Sequence, residues 1–187
     1  MQSVSARCKP WLLMTAALGL LVFFVFSQQV MADMFSWFKK TEVELSPVIN
    51  GTITSYGKPV AGATVQRNLT YGDKEFNDRA ITDANGQFKL PVKTAKVRVS
   101  SMFDTWVSQL LTVEHAEQNV KIWSTGATNT LNYDSVHQLL FSMQCELTSP
   151  EMKIGIPRSK PQSPPLWLVS TCNFEHDNII IEKELNQ

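Results

Sequence analysis

From residue 48 to about residue 99 the sequence leaves no room for a helix, because short runs alternating apolar and polar residues follow one another across strong turn signals. Val48–Ser55 (VINGTITS) meets Tyr56-Gly57-Lys58-Pro59, where Gly and Pro reverse the chain. Ala63–Tyr71 (ATVQRNLTY) alternates as a half-buried strand does. Ala80-Ile81-Thr82 leads into Asp83-Ala84-Asn85-Gly86, whose Asn-Gly pair suits the positive φ angles of a tight hairpin. Gln87–Pro91 and Lys96–Ser100 repeat the period of two. Strands this close together make an antiparallel sandwich or barrel. The expected fold class is therefore all-β.

The second half is less regular. Trp106–Val113 and Asn119–Trp123 read as strands, and Gly126–Asp134 as a polar loop. Val136–Leu147 (VHQLLFSMQCEL) fits a buried strand or a short helix equally well. Ile156–Pro165 holds four prolines and reads as an irregular exposed loop. Leu166–Phe174 and Ile179–Glu182 look like closing strands.

The N-terminus has a different character. Arg7 and Lys9 precede an uncharged run, Trp11–Phe26, and Val30-Met31-Ala32 offers a small-residue exit. These are the three parts of a secretory signal peptide. At 16 residues the run reaches roughly 24 Å as a helix, against a hydrocarbon core of about 30 Å. The expectation is cleavage after Ala32 and export, with a retained anchor as the alternative and a start at Met34 as a cytoplasmic one. Removing Arg7 and Lys9 from 17 basic residues leaves 15 against 17 acidic ones, a balance that argues against nucleic acid as a partner. The expected order is a signal peptide over 1–32, an aromatic and basic segment over 33–47, and one domain over 48–187. Met34, Phe35, Trp37 and Phe38 beside Lys39-Lys40 either dock on the protein's own sandwich or touch a membrane surface.

Three cysteines are present, and Cys8 leaves with the signal peptide. In an exported chain Cys145 and Cys172 allow a single disulfide, which would close a C-terminal extension around the proline loop.

Gly51-Thr52-Ile53, Gly57-Lys58-Pro59-Val60-Ala61-Gly62-Ala63-Thr64-Val65 and Thr82-Asp83-Ala84-Asn85-Gly86-Gln87-Phe88 together resemble the signature of carboxypeptidase-regulatory-like domains. The resemblance implies a transthyretin-like, or prealbumin-like, β-sandwich, with Asp83 accepting from turn amides and Phe88 filling the core. It implies little about activity, because sites are grafted on folds. The whole chain also looks similar to a group of small exported bacterial proteins. These join an MFxxFKK start, here Met34–Lys40, to such a domain and to a Cys-acidic-Leu-Thr segment, here Cys145-Glu146-Leu147-Thr148. That likeness implies a periplasmic address.

A search for chemistry finds no nucleophile elbow, phosphate-cradling loop or zinc-helix motif. His115, His137 and His176 lie far apart, and Glu175-His176-Asp177 is the densest polar cluster. Hydroxyisourate hydrolases and intradiol dioxygenases share the transthyretin-like fold, but their residue sets do not recur here. Asn68-Leu69-Thr70 matches a glycosylation pattern that carries no meaning in a bacterial periplasm. The expectation is a binding protein without catalysis, cofactor or metal, whose partner is another protein, either an envelope protein or a toxin. Trp106, Trp123, Trp167 and His176 are the candidate partner-contact residues. Membrane contact is confined to an uncleaved signal or to residues 33–40. The alternative is an immunity protein against a toxin delivered to the periplasm, and a third reading is an unrecognised hydrolase.

Overall fold

The computed structural model describes residues 40–99, 104–131, 133–158, 163–174 and 180–184, and for 180–184 the backbone. Thr41–Gln187 is one compact unit. Its strands are β1 (Lys40–Ser46), β2 (Ile49–Ser55), β3 (Lys58–Pro59), β4 (Thr64–Tyr71), β5 (Lys74–Ile81), β6 (Gln87–Leu90) and β7 (Lys93–Arg98). They continue with β8 (Trp106–His115), β9 (Gln118–Thr128), β10 (Met143–Glu146), β11 (Met152–Ile156), β12 (Leu166–Ser170), β13 (Cys172–Asn173) and β14 (Ile180–Glu184). A single helix among the described residues, α1 (Asp134–Phe141), precedes β10.

Seven strands form one sheet in the order β14-β11-β12-β9-β8-β4-β5, antiparallel throughout. The smaller sheet runs β13-β10-β2-β3, with β6 also beside β2, and β1 pairs with β7 separately. The sheets pack face to face as an all-β sandwich. Alternation decides which side chains meet: Val65, Leu69 and Tyr71 of β4 are buried, as are Val107, Leu111 and Val113 of β8. Opposite them stand Ile49 and Ile53 of β2 and Phe88 and Leu90 of β6, with Val136, Leu139 and Leu140 of α1 completing the core.

Several elements differ from the sequence reading. Val136–Leu147 is helix and then strand, because Val136, Leu139 and Leu140 share a helical face while Met143 and Cys145 alternate. The polar stretch Lys74–Ala80 is a strand, β5, at the edge of the large sheet. Residues 126–128, read as loop, extend β9. Lys40–Ser46 forms β1, which buries Leu45 and Ser46. Asp83–Gly86 is no hairpin turn, since it carries the chain from β5 in one sheet to β6 in the other. Gly86 takes φ 73° there while Asn85 stays at negative φ, and Asp83 Oδ1 accepts from the amides of Asn85 and Gln87 at 2.8 Å each. A Cβ on Gly86 would strike the Ile53 carbonyl oxygen, so this position excludes any side chain.

Strands β2 and β10 are parallel, Met143 opposite Gly51 through Glu146 opposite Thr54. Parallel neighbours need a long crossover, and here four strands of the large sheet, β4, β5, β8 and β9, intervene between them. The expected disulfide is present: Cys145 on β10 and Cys172 on β13 are register partners bonded through their sulfurs.

Candidate partner-binding face

The large sheet buries one face and leaves the other uncovered by the small sheet. On that outer face alternation places Trp106 and Ser108 of β8, Ser124 and Gly126 of β9, Trp167 and Val169 of β12, and Lys153 and Gly155 of β11. Glycine appears where an indole needs room. A Cβ on Gly126 would collide with Cζ2 of Trp106, and one on Gly155 would come within 2.8 Å of Cζ3 of Trp167. Both rings therefore lie against bare backbone. Lys153 Nζ stands 4.3 Å from the Trp167 ring centroid and Arg158 Cζ 5.6 Å from that of Tyr133, cation–π contacts that fix both groups.

An open groove of about 560 Å³ follows this face, bordered by both tryptophans. Its floor is made of small residues, Ser108, Ser124, Gly126 and Thr128, and its two charged lining residues, Lys153 and Arg158, are both basic. Trp106 is 59% exposed, an unusual position for so large an apolar side chain.

The four contact candidates are thus dispersed. Trp106 and Trp167 share the groove. Trp123 is fully buried, with its ring edge-on to Phe174 at 5.9 Å, and is removed from the contact set. The cause is a bulge in β9: Leu111 faces Trp123 and Thr112 faces Lys121, so the extra residue Ile122 and its neighbour Trp123 both turn inward. His176, with Glu175 and Asp177, lies outside the described residues. His115 is exposed at the end of β8, and His137 Nε2 lies 3.5 Å from Glu44 Oε1. Among the described residues no three His, Cys, Asp or Glu side chains come together to hold a metal.

Two polar constellations escaped the sequence reading. Arg67, fully buried, occupies an inward slot of β4 and grips its cross-strand partner Asp78 through both Nε and Nη2. It also donates to Ser46 Oγ at 3.0 Å and to the carbonyls of Pro47 at 3.3 Å and Pro91 at 2.8 Å, while Gln109 reaches the same Ser46 hydroxyl. With its donors engaged on all sides, Arg67 is a clasp between the sheets and offers a ligand nothing.

The second constellation is the Cys145-Glu146-Leu147-Thr148 segment. Tyr56 (φ 52°) and Gly57 (φ 71°) form the two-residue loop between β2 and β3. Both angles are left-handed, as a right-twisted hairpin requires, yet Tyr56 carries a side chain that disfavours that region. Glu146 holds the turn: its carboxylate accepts from the Tyr56 amide at 2.9 Å and the Gly57 amide at 3.0 Å. It also accepts from the Thr148 hydroxyl at 2.6 Å and the Thr148 amide at 3.2 Å. Burial alone would raise this carboxyl, but bonds from the Thr148 hydroxyl and the Gly57 and Thr148 amides outweigh it, lowering the pKa from 4.5 to about 2. A signal existed in the sequence, the acidic residue beside Cys145, but its partners lie about 90 positions upstream.

Compared with known proteins, residues 49–150 match the model of a family described as a domain of unknown function, DUF6795. No curated protein and no solved structure matches the chain.

Proposed function

Since the chain belongs to the DUF6795 family, we propose from its own surfaces that it is a non-catalytic binding protein of the periplasm. On this reading it holds an acidic segment of a partner protein along the outer face of its seven-stranded sheet. The carrying observation is Trp106, exposed at 59% and laid over Gly126 in a groove whose charged residues are both basic. A flat aromatic anchor beside fixed cations suits an apolar side chain flanked by carboxylates. The glycine, threonine and aspartate pattern that resembles carboxypeptidase-regulatory-like domains supports reading the sandwich as transthyretin-like. The charged, apolar and small-residue sequence of positions 1–32 supports export.

The test is capture by the tagged full-length protein from the envelope fraction of its host, with Trp106→Ala and Lys153→Glu/Arg158→Glu beside the wild type. The expected result is one stoichiometric protein partner, bound at least tenfold more weakly by Trp106→Ala and released by salt. A toxin in that position would make the protein an immunity factor, and an envelope protein would make it an adaptor. A partner that all three proteins retain equally would overturn the assignment of this face.

A further inference from the structure

Strand β5 closes one end of the seven-stranded sheet, and among the described residues nothing pairs with its free side. It is eight residues long and paired with β4 along its whole length, so its outer row of amides and carbonyls is straight and continuous. Such an edge is a template for another strand. Natural edges are commonly blunted by charge, and β5 carries Lys74, Glu75, Asp78 and Arg79. Two of these, Asp78 and Lys74, do not face outward with the others: Asp78 is turned in and held by Arg67, and Lys74 is half-buried. The exposed series is Glu75, Asn77, Arg79 and Ile81. Glu75 and Arg79 make no ion pair among the described residues.

The order of these exposed residues matters. An antiparallel copy of the same strand, placed with Asn77 opposite its own counterpart, sets each Glu75 against the other chain's Arg79. Antiparallel pairing of two like edges requires residues of the same parity to face each other, which excludes the one-residue slips. A slip of two residues in one direction centres the pair on Asp78, sets Arg79 against Asn77 and Glu75 against Ile81, and so loses both ion pairs. The same slip in the other direction places Glu75 opposite Asn77 and leaves Arg79 beyond the end of the strand. Charges that would repel a strand of uniform sign therefore favour this one. We infer that β5 is a self-association edge, through which two copies of this chain join their large sheets about a two-fold axis at Asn77, with reciprocal Glu75–Arg79 pairs. The arrangement is isologous, as closed dimers are. It leaves the Trp106 groove open on both copies, and it stands independently of what that groove holds.

Sedimentation equilibrium of the full-length protein tests this with charge exchange. Wild type is expected to be dimeric, and Glu75→Arg or Arg79→Glu alone, each turning two attractive pairs into two repulsive ones, is expected to weaken the dimer about tenfold or more. The double exchange Glu75→Arg/Arg79→Glu restores the pairs in reverse and is expected to recover wild-type association. With Cys8 replaced by Ser, a short bis-maleimide is expected to join two copies of Asn77→Cys and to leave Glu75→Cys unjoined. A monomeric wild type, single variants as strong as wild type, or a double variant no stronger than the singles would each overturn the proposal.

Discussion

Strand β4 is paired through eight residues with β5 and eight with β8, whereas β10 in the smaller sheet is paired through four residues with β2 and two with β13. The long strands hold one another by repetition: each ladder position adds a backbone bond and a cross-strand contact. The short strands have too few positions for that, and around them the chain supplies discrete fasteners. β10 is cross-linked to β13 by the disulfide and tied to the β2–β3 turn by Glu146, and α1 packs on its neighbour β2. A sheet held by its own ladder can leave a face and an edge uncovered. The groove beside Trp106 and Trp167 and the eight-residue free edge of β5 belong to the large sheet.

The connection between the two is where the largest effect is expected. Arg67 ties the large sheet to the Ser46-Pro47 link before β2 and to Pro91 before β7. Replacing it with Leu keeps the volume apolar but takes the bidentate partner from Asp78, which is left with Lys93 at 3.8 Å, and the donor from the Pro91 carbonyl. A loss of about 3 kcal/mol is expected, the low end for removing one partner of a buried pair, because a second cation remains near the carboxylate. Denaturant unfolding measures it; a loss under about 1 kcal/mol would mean that the two sheets are joined by their apolar contact alone.

Next comes the fastener of the small sheet. The Cys145–Cys172 bond closes a segment 27 residues apart in sequence. The chain-entropy model gives it roughly 3 to 4 kcal/mol. Cys145→Ala/Cys172→Ala is expected to unfold at correspondingly lower denaturant. Hydrogen exchange in β2 and β10 is expected to rise more than in β4 and β8. Equal loosening of both sheets would show that the fastener serves the whole sandwich and would remove the contrast drawn between them.

The same contrast governs what could be read from residues alone. The period-two signal in β4 survives one inward arginine, because Val65, Leu69 and Tyr71 still mark the face. In β5 it fails, because one face is exposed and the other presents Asp78 to Arg67, so KEFNDRA carries no strand signal. The helix-to-strand switch after Phe141 was present as a change of spacing, from 136, 139 and 140 to 143 and 145, but a single-period search averages over it. Trp106 and Trp123 look alike in sequence, and only the bulge at Ile122 decides that one is buried and the other exposed. The cysteine pair was legible because two cysteines allow one bond. The groove was not, because its walls come from four strands that only the topology brings side by side.

The smallest effect separates the fasteners from each other. Glu146 is held at a pKa of about 2, against 4.5 for an ordinary glutamate. A group with a lowered folded-state pKa contributes stability that is complete above its unfolded value and is lost as pH falls toward the folded one. The contribution of Glu146 is therefore expected in full above about pH 4.5 and to disappear between there and pH 2. Glu146→Gln keeps the shape but no longer offers two anionic oxygens to the Tyr56 and Gly57 amides. Because this turn faces water, a loss of about 1 kcal/mol or less is expected at neutral pH. The difference between wild type and Glu146→Gln should then shrink as the solution is acidified through that window, while the disulfide contribution stays constant. A difference that does not change between pH 5 and pH 2 would mean that the turn is held by its backbone conformation, with the carboxylate serving only as a neutral-equivalent acceptor. In that case β10 would depend on its covalent fastener alone.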